Sequence, residues 1–332
     1  HMRAIGEDGT CSLAAVVDPQ PAGAAAAERH GAPHFAGLEA MIAAVEPDGV
    51  IVATPNALHV PLATACLREG IPVLVEKPIA DTVESAYRLA DLSEETGVPV
   101  LVGPPPPHNP LIQRARAIVG SGMLGEVTAV AASWLVRKPD GYFDVAWRGE
   151  PGGGPILINL IHDIDSLRYV AGEIVSVQGV ASNQRRGLKV EDTAAILVTF
   201  ANGALGTIIV SDAAPSPWSW ELTSGETTSY TYPRMAADCY RIAGSRAALG
   251  VPSMRVWRHE GAESWQSPMV EERHRVDEAD PLSVQIRHFA DVVRGTARPV
   301  ITARDAARTL EVTLAVTESA RTRTAVDLPR RD

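Results

Sequence analysis

Between Ser12 and Val102, short apolar runs alternate with longer stretches in which apolar positions recur at helical spacing. Ser12–Asp18 (SLAAVVD), Gly49–Ala53 (GVIVA), Pro72–Glu76 (PVLVE) and Val98–Val102 are near-continuous apolar segments, the pattern of strands buried on both faces. Pro21–His30, Leu38–Val45 and Pro61–Arg68 read as helices, and a capping-box pattern of Asp81 and Glu84 opens another that runs to about Thr96. Such alternation predicts a doubly wound parallel sheet with right-handed crossovers.

The rhythm changes near Gly103. Pro104–Pro107 is a run of prolines that reads as a rigid linker, since proline lacks the N–H donor and extends the chain. His108-Asn109-Pro110 leads into a helix to about Gly120, and longer alternating strands follow at Glu126–Leu135, Ile174–Ser182 and Thr193–Phe200. The last meets Ala204–Val210 across Asn202-Gly203, a hairpin-turn signal. A helix after Gly152 is expected to cover this sheet, with late helices at Leu282–Val293 and Ala303–Ala320 packing back on the rest. The class is therefore α/β plus α+β: a doubly wound domain over 1–105, then a mostly antiparallel open-sheet α+β domain over 106–332.

The length of 332 residues suits two such domains, and 45% hydrophobic with 21% charged residues fits a soluble globular chain. A net charge of −10 argues against nucleic-acid binding, because an acidic surface repels phosphates. The one compact basic cluster, Arg185, Arg186 and Lys189 beside Gly187, reads as a solvated loop. Cys11, Cys66 and Cys239 lie far apart with no CxxC spacing, which argues against a disulfide framework or a metal site and for a reducing cytoplasm. No apolar run reaches the ~18 residues of a membrane span, and no signal segment opens the chain. His1-Met2 reads either as a vector remnant or as residues around the start.

Three places could carry chemistry. Thr54-Pro55-Asn56, with His59 following, comes straight after a parallel strand, where ligands of open α/β sheets collect; the same residues also make an ordinary turn and helix cap. Glu76-Lys77-Pro78 ends the next strand, and a lysine desolvated there could exchange a proton near neutral pH, although most lysines at strand ends are simply solvated. Gly152-Gly153-Gly154-Pro155 leads into a helix on which Asn159, His162 and Asp165 share a face. Polar residues on an apolar helix must hydrogen-bond or face a cleft, so a satisfied core histidine and a functional one both stand.

The ordered set TPN with a following His, EKP, and GGG-x7-His-x-x-Asp resembles the glucose–fructose oxidoreductase/inositol dehydrogenase (Gfo/Idh/MocA) family. So do the late segments Phe289-Ala-Asp-Val-Val-Arg-Gly and Leu310-Glu-Val-Thr-Leu-Ala. The resemblance implies a Rossmann dinucleotide-binding domain and hydride transfer between NAD or NADP and a small-molecule substrate, a sugar, polyol or related hydroxy compound. It implies Lys77 and His162 as catalytic residues. Asp18 would sit on the adenosine ribose and favour NAD, since a carboxylate repels a ribose phosphate. Thr54, Pro55, Asn56, His59, Glu76 and Lys77 would line the cofactor, and Trp147, Arg148, Asn159 and His162 the substrate.

Three departures from the family pattern bear on this. No strand and G-x-G-x-x-G loop precede Ser12, so the Rossmann domain is expected to be incomplete, with a gap in its sheet and weak dinucleotide binding. Ile158 stands where many relatives carry an acid four residues before the histidine, and the prolines at 104–107 stand where relatives carry polar residues. The enzyme reading therefore has an alternative, a non-catalytic ligand-sensing or regulatory relative that keeps the fold. An exposed antiparallel sheet in the second domain is expected to make a homodimer or homotetramer.

Overall fold

The computed structural model describes residues 1–103, 106–226, 234–277 and 279–329; Pro104 and Pro105 of the proline run lie outside the described residues. The first elements in chain order are α1 (Met2–Asp8), β1 (Val16–Val17), α2 (Pro21–Arg29), β2 (His34–Phe35) and α3 (Leu38–Val45). Then come β3 (Val50–Val52), α4 (His59–Arg68), β4 (Val73–Val75), α5 (Val83–Thr96) and β5 (Val100–Val102). The middle of the chain holds α6 (Pro110–Gly120), β6 (Val127–Leu135), α7 (Ile161–Ala171), β7 (Ile174–Ser182), β8 (Thr193–Phe200) and β9 (Leu205–Ser211). It continues through α8 (Trp220–Thr223), β10 (Tyr240–Gly244), β11 (Ala247–Val251), β12 (Arg255–His259) and β13 (Met269–Arg273), and closes with α9 (Pro281–Val293), α10 (Ala303–Thr322) and β14 (Val326–Asp327).

These elements form two compact units. The first comprises residues 1–108 and 279–310, and the second the remaining described residues. The boundary read at 105/106 leaves α9 in the second domain. The structure returns it to the first, because its Ile286 and Phe289 share a core with Ala4, Ile5, Leu74 and Leu101.

In the first unit β3, β4 and β5 pair in parallel in that order, and β1 pairs with β2 in a separate parallel sheet. The Ser12–Asp18 strand is shorter than its apolar run: only Val16–Val17 enter a ladder, against His34–Phe35, and the residues before them are half-buried or exposed. Helix α5 is capped one residue later than its sequence pattern implies. Thr82 Oγ1 accepts from the Ser85 amide at 3.2 Å, while Asp81 accepts from the Ser85 hydroxyl at 3.1 Å.

The second unit is built on one sheet in the order β13-β12-β11-β10-β6-β9-β8-β7-β14, antiparallel apart from the β6–β9 pair. Helices α6 and α7 bury Ile112, Ile118, Ile164 and Leu167 in the same core as Val130, Trp134, Ile196, Phe200 and Ile208. Strands β10–β13 were not anticipated. They are short, five residues each, and β12 and β13 carry charged residues at Arg255, Arg258, Glu271, Glu272 and Arg273 that leave little apolar pattern.

Candidate functional site

Three parallel strands of the first unit end at one edge. Thr54 follows β3, Glu76 and Lys77 follow β4, and Gly103 follows β5. The ladder continues past the strands: the Glu76 amide donates to Val52 O at 2.9 Å and the Gly103 amide to Val75 O at 2.8 Å. Glu76 is half-buried, its Oε1 lies 2.8 Å from His1 Nε2, and its Oε2 accepts from the Lys77 amide at 3.1 Å. Lys77 is half-buried and its peptide bond to Pro78 is cis.

His59, expected to line a cofactor, has a different place. It is 1% exposed, with Nε2 2.8 Å from Thr54 O and Nδ1 2.8 Å from Pro78 O. Each ring nitrogen faces a carbonyl of a strand-end loop, and the imidazole, donating through the nitrogen that carries its proton, packs between the β3 loop and the β4 loop. Thr54 Oγ1 is the reverse case: it is buried and has no hydrogen-bond partner. Asn56 begins a single 3-10 turn after Pro55, ahead of α4. Asp18 stands apart on the β1 loop, half-buried, its Oδ1 accepting from the Gln20 amide at 2.8 Å. A Cβ on Gly23 would lie 2.2 Å from that of Asp18, so glycine is what lets α2 start against it.

In the second unit the glycines have local work. A Cβ on Gly153 would lie 2.5 Å from Trp147 O, and one on Gly154 2.3 Å from Glu191 Oε1. The bare backbone therefore lets Trp147 and Arg148 lie against the segment that leads to α7, where the Ile156 amide donates to Glu191 at 3.0 Å. Burial pushes the Glu191 carboxyl above its usual range. Asn159 belongs to a π-helical turn, Ile156–Leu160, that precedes α7, so it and His162 do not share one regular α-helical face. Both are half-buried. Trp147 is 52% exposed, while Arg148 lies 4.0 Å over the Tyr142 ring and donates to Tyr142 O at 2.9 Å.

Sequence reasoning missed two residues here. Lys138 is buried, donates to Asn159 Oδ1 at 2.8 Å, and lies 4.7 Å from the Tyr142 ring centre and 3.7 Å from Asp212. Desolvation lowers its pKa against the pull of Asp212. No local pattern separates this lysine from a solvated one after a strand. Gln285 of α9 is 1% exposed and neither atom of its amide has a partner. It falls on the apolar stripe of α9 with Leu282, Ile286 and Phe289, the same kind of signal that singled out Asn159 and His162.

The basic cluster needs correction. Arg186 is not solvated: it donates to Asp212 Oδ1 and to Lys138 O, each at 2.9 Å, and lies 4.3 Å over the Phe143 ring. Its charge offsets the burial of Asp212, so it binds the loop after β7 to the end of β9. Among the described residues no group of three or more His, Cys, Asp or Glu side chains is placed to hold a metal, and no helix is long and apolar enough to cross a membrane.

With this geometry in hand, the chain matches two family models. Residues 1–104 match the oxidoreductase family, NAD-binding Rossmann fold, and residues 112–249 match the GFO/IDH/MocA C-terminal domain. The chain belongs to the Gfo/Idh/MocA oxidoreductases. It is 30% identical to an inositol 2-dehydrogenase of Corynebacterium glutamicum (strain R) over 203 residues, which is 58% of this chain and 57% of that protein. It is 27% identical to a 1,5-anhydro-D-fructose reductase of Ensifer adhaerens over 299 residues, covering 88% of this chain and 83% of the reductase. The chain thus spans little more than half of the first of these curated relatives. An oxidoreductase from Agrobacterium radiobacter, solved with NAD+, L-tartaric acid and magnesium, shares the fold with a TM-score of 0.81 at 19% identity, over 98% of this chain and 94% of that one.

The strand-end residues fit such a cofactor. The Thr54 hydroxyl and the Gln285 amide, both beside the ends of the parallel strands, are buried polar groups with hydrogen-bonding capacity still to be met.

Proposed function

We propose that this protein is an NAD-dependent oxidoreductase acting on the CH–OH group of a sugar, polyol or related hydroxy compound. The observation that supports this most is the edge where Thr54, Glu76 and Lys77 follow adjacent parallel strands, with the Thr54 hydroxyl buried and unpartnered. In open α/β sheets this edge takes the ligand. When bound, NAD supplies the hydride acceptor. Lys77 Nζ takes the proton of the substrate hydroxyl, and His162 is the second acid–base residue this reading assigns. Asp18 binds the adenosine ribose and disfavours a phosphate there. Pro55 and Asn56 border the cofactor with Thr54 and Glu76, while His59 packs between the loops that carry them.

On the substrate side, Asn159 presents its amide N–H groups, because its oxygen is occupied by Lys138. Exposed Trp147 offers a face for a sugar ring, and Arg148, already seated on Tyr142, offers a cation for a carboxylate. The relatives' names, a polyol dehydrogenase and a sugar reductase, agree with this class. Initial rates with NAD over a panel of polyols, aldoses and hydroxy acids test the reading. Lys77→Ala and His162→Ala are each expected to lower kcat by about 10²–10⁴-fold, the usual worth of a general acid–base group. Absence of turnover across the panel, or full activity in both variants, would contradict it.

The assembly is a homodimer in the cytoplasm, formed through the outer face of the second unit's sheet. Across β7, β8, β9 and β6 the outward row Gln178, Leu197, Thr207, Ala131 and the next row Val180, Ala195, Ile209, Ser133 carry no charge. Leu197 is 55% exposed within it. These residues line a shallow cavity of about 410 Å³ bordered by Arg241 of β10, and a largely apolar sheet face of this kind suits packing against a second copy of the chain.

A further inference from the structure

Gln285 is a polar side chain where the fold has no internal use for one. It sits on the apolar stripe of α9, is 1% exposed, and leaves both Oε1 and Nε2 buried without a partner. A primary amide in that state costs stability that a leucine of similar volume would not, because its desolvation is not repaid by a hydrogen bond. Its surroundings say where the amide is aimed. The point a Cβ would occupy on Gly103, just past β5, lies 3.2 Å from Gln285 Nε2 and 3.8 Å from both Gln285 Oε1 and Glu76 Oε2. The glycine leaves room for the amide and the Glu76 carboxylate to approach one spot at the ends of β4 and β5.

We infer that Gln285 is a cofactor-binding residue that reads the carboxamide of the nicotinamide ring. This rests on the proposed NAD-dependent function and adds to it a residue from a late helix. The chemistry selects the group. Phosphates offer only acceptors, whereas a carboxamide offers an acceptor and N–H donors in one plane, the complement of a glutamine amide. Adenine offers a similar pair of groups, but the residue assigned to the adenosine end, Asp18, lies on the other sheet, after β1. One rotation about the last side-chain torsion presents Oε1 or Nε2, so the amide adjusts to whichever carboxamide orientation the site sets.

The test uses calorimetric titration of the full chain with NADH and with reduced 3-acetylpyridine adenine dinucleotide, in which a methyl replaces the carboxamide NH2. Wild type is expected to bind NADH about tenfold more tightly than the analogue, the worth of one hydrogen bond to a buried partner. Gln285→Leu is expected to bind both ligands equally, while its ligand-free form melts no lower than wild type. Gln285→Asn serves as a second, still polar variant and is expected to regain part of the preference. The preference is a ratio, so it can be read even where a variant is partly unfolded. A Gln285→Leu chain that keeps the wild-type preference overturns the inference and leaves the proposed function standing. Wild type that binds neither dinucleotide overturns the proposed function and this inference with it.

Discussion

Asp163, next to His162, shows how far a single residue can depart from what its letter implies. It is 1% exposed, and burial raises its pKa well above the usual carboxylate range, opposed by a 2.5 Å hydrogen bond from the Tyr240 hydroxyl. The folded state therefore holds a proton that the unfolded chain releases. Stability from this group is full below the unfolded carboxylate value and is lost as pH rises toward the raised folded value. Asp163→Asn keeps an acceptor for Tyr240 and removes the ionisation. Its melting temperature is expected to fall less than that of wild type between about pH 5 and about pH 8; parallel pH slopes would contradict this. Lys77, Thr54 and Glu76 were legible in the sequence because each follows a short apolar strand, and strand ends are where ligands gather. Lys138 and the place of His59 between two loops were not, since both depend on neighbours about twenty residues away. Gln285 was legible in principle, as a polar residue inside an apolar stripe.

Among the elements, those with a clear apolar pattern declared themselves: helix α3 and strand β8 have the bounds their periodicity gives. Short elements did not: β2 and β14 are two residues long and β10 to β13 five each, too few for a period to show. The glycine run before α7 shows an element set by close approach. Alanine at 154 would press its methyl to 2.3 Å from Glu191 Oε1 and 2.4 Å from Val190 Cγ2. Gly154→Ala is expected to destabilise the protein by about 1–3 kcal/mol, the usual cost of overpacking, in urea unfolding. The π-helical turn carrying Asn159 would shift with it, so substrate KM should rise more than the KM for NAD. An unchanged urea midpoint with unchanged KM would show that the loop after β7 yields freely.

On the scale of the whole molecule, fold class and family were legible from the ordered motifs, and both family models match in the same order. The division into units was less so, because α9 joins the first unit by packing that no linear boundary expresses. The outer sheet face around Leu197 bears on assembly. Leu197→Arg puts an unpaired cation on that face, and is expected to convert a dimer to a monomer in light scattering while leaving the unit folded; a variant that stays dimeric would move the interface elsewhere. Hydride transfer leaves an isotopic mark on the cofactor. The protein would be incubated with NAD and inositol, an aldose or a hydroxy acid carrying deuterium at the carbinol carbon, and the recovered cofactor weighed by mass spectrometry. Deuterium in the NADH formed by wild type and its absence with Lys77→Ala is the expected result. Unlabelled cofactor with every substrate, under conditions where NAD is shown to bind, would contradict the account.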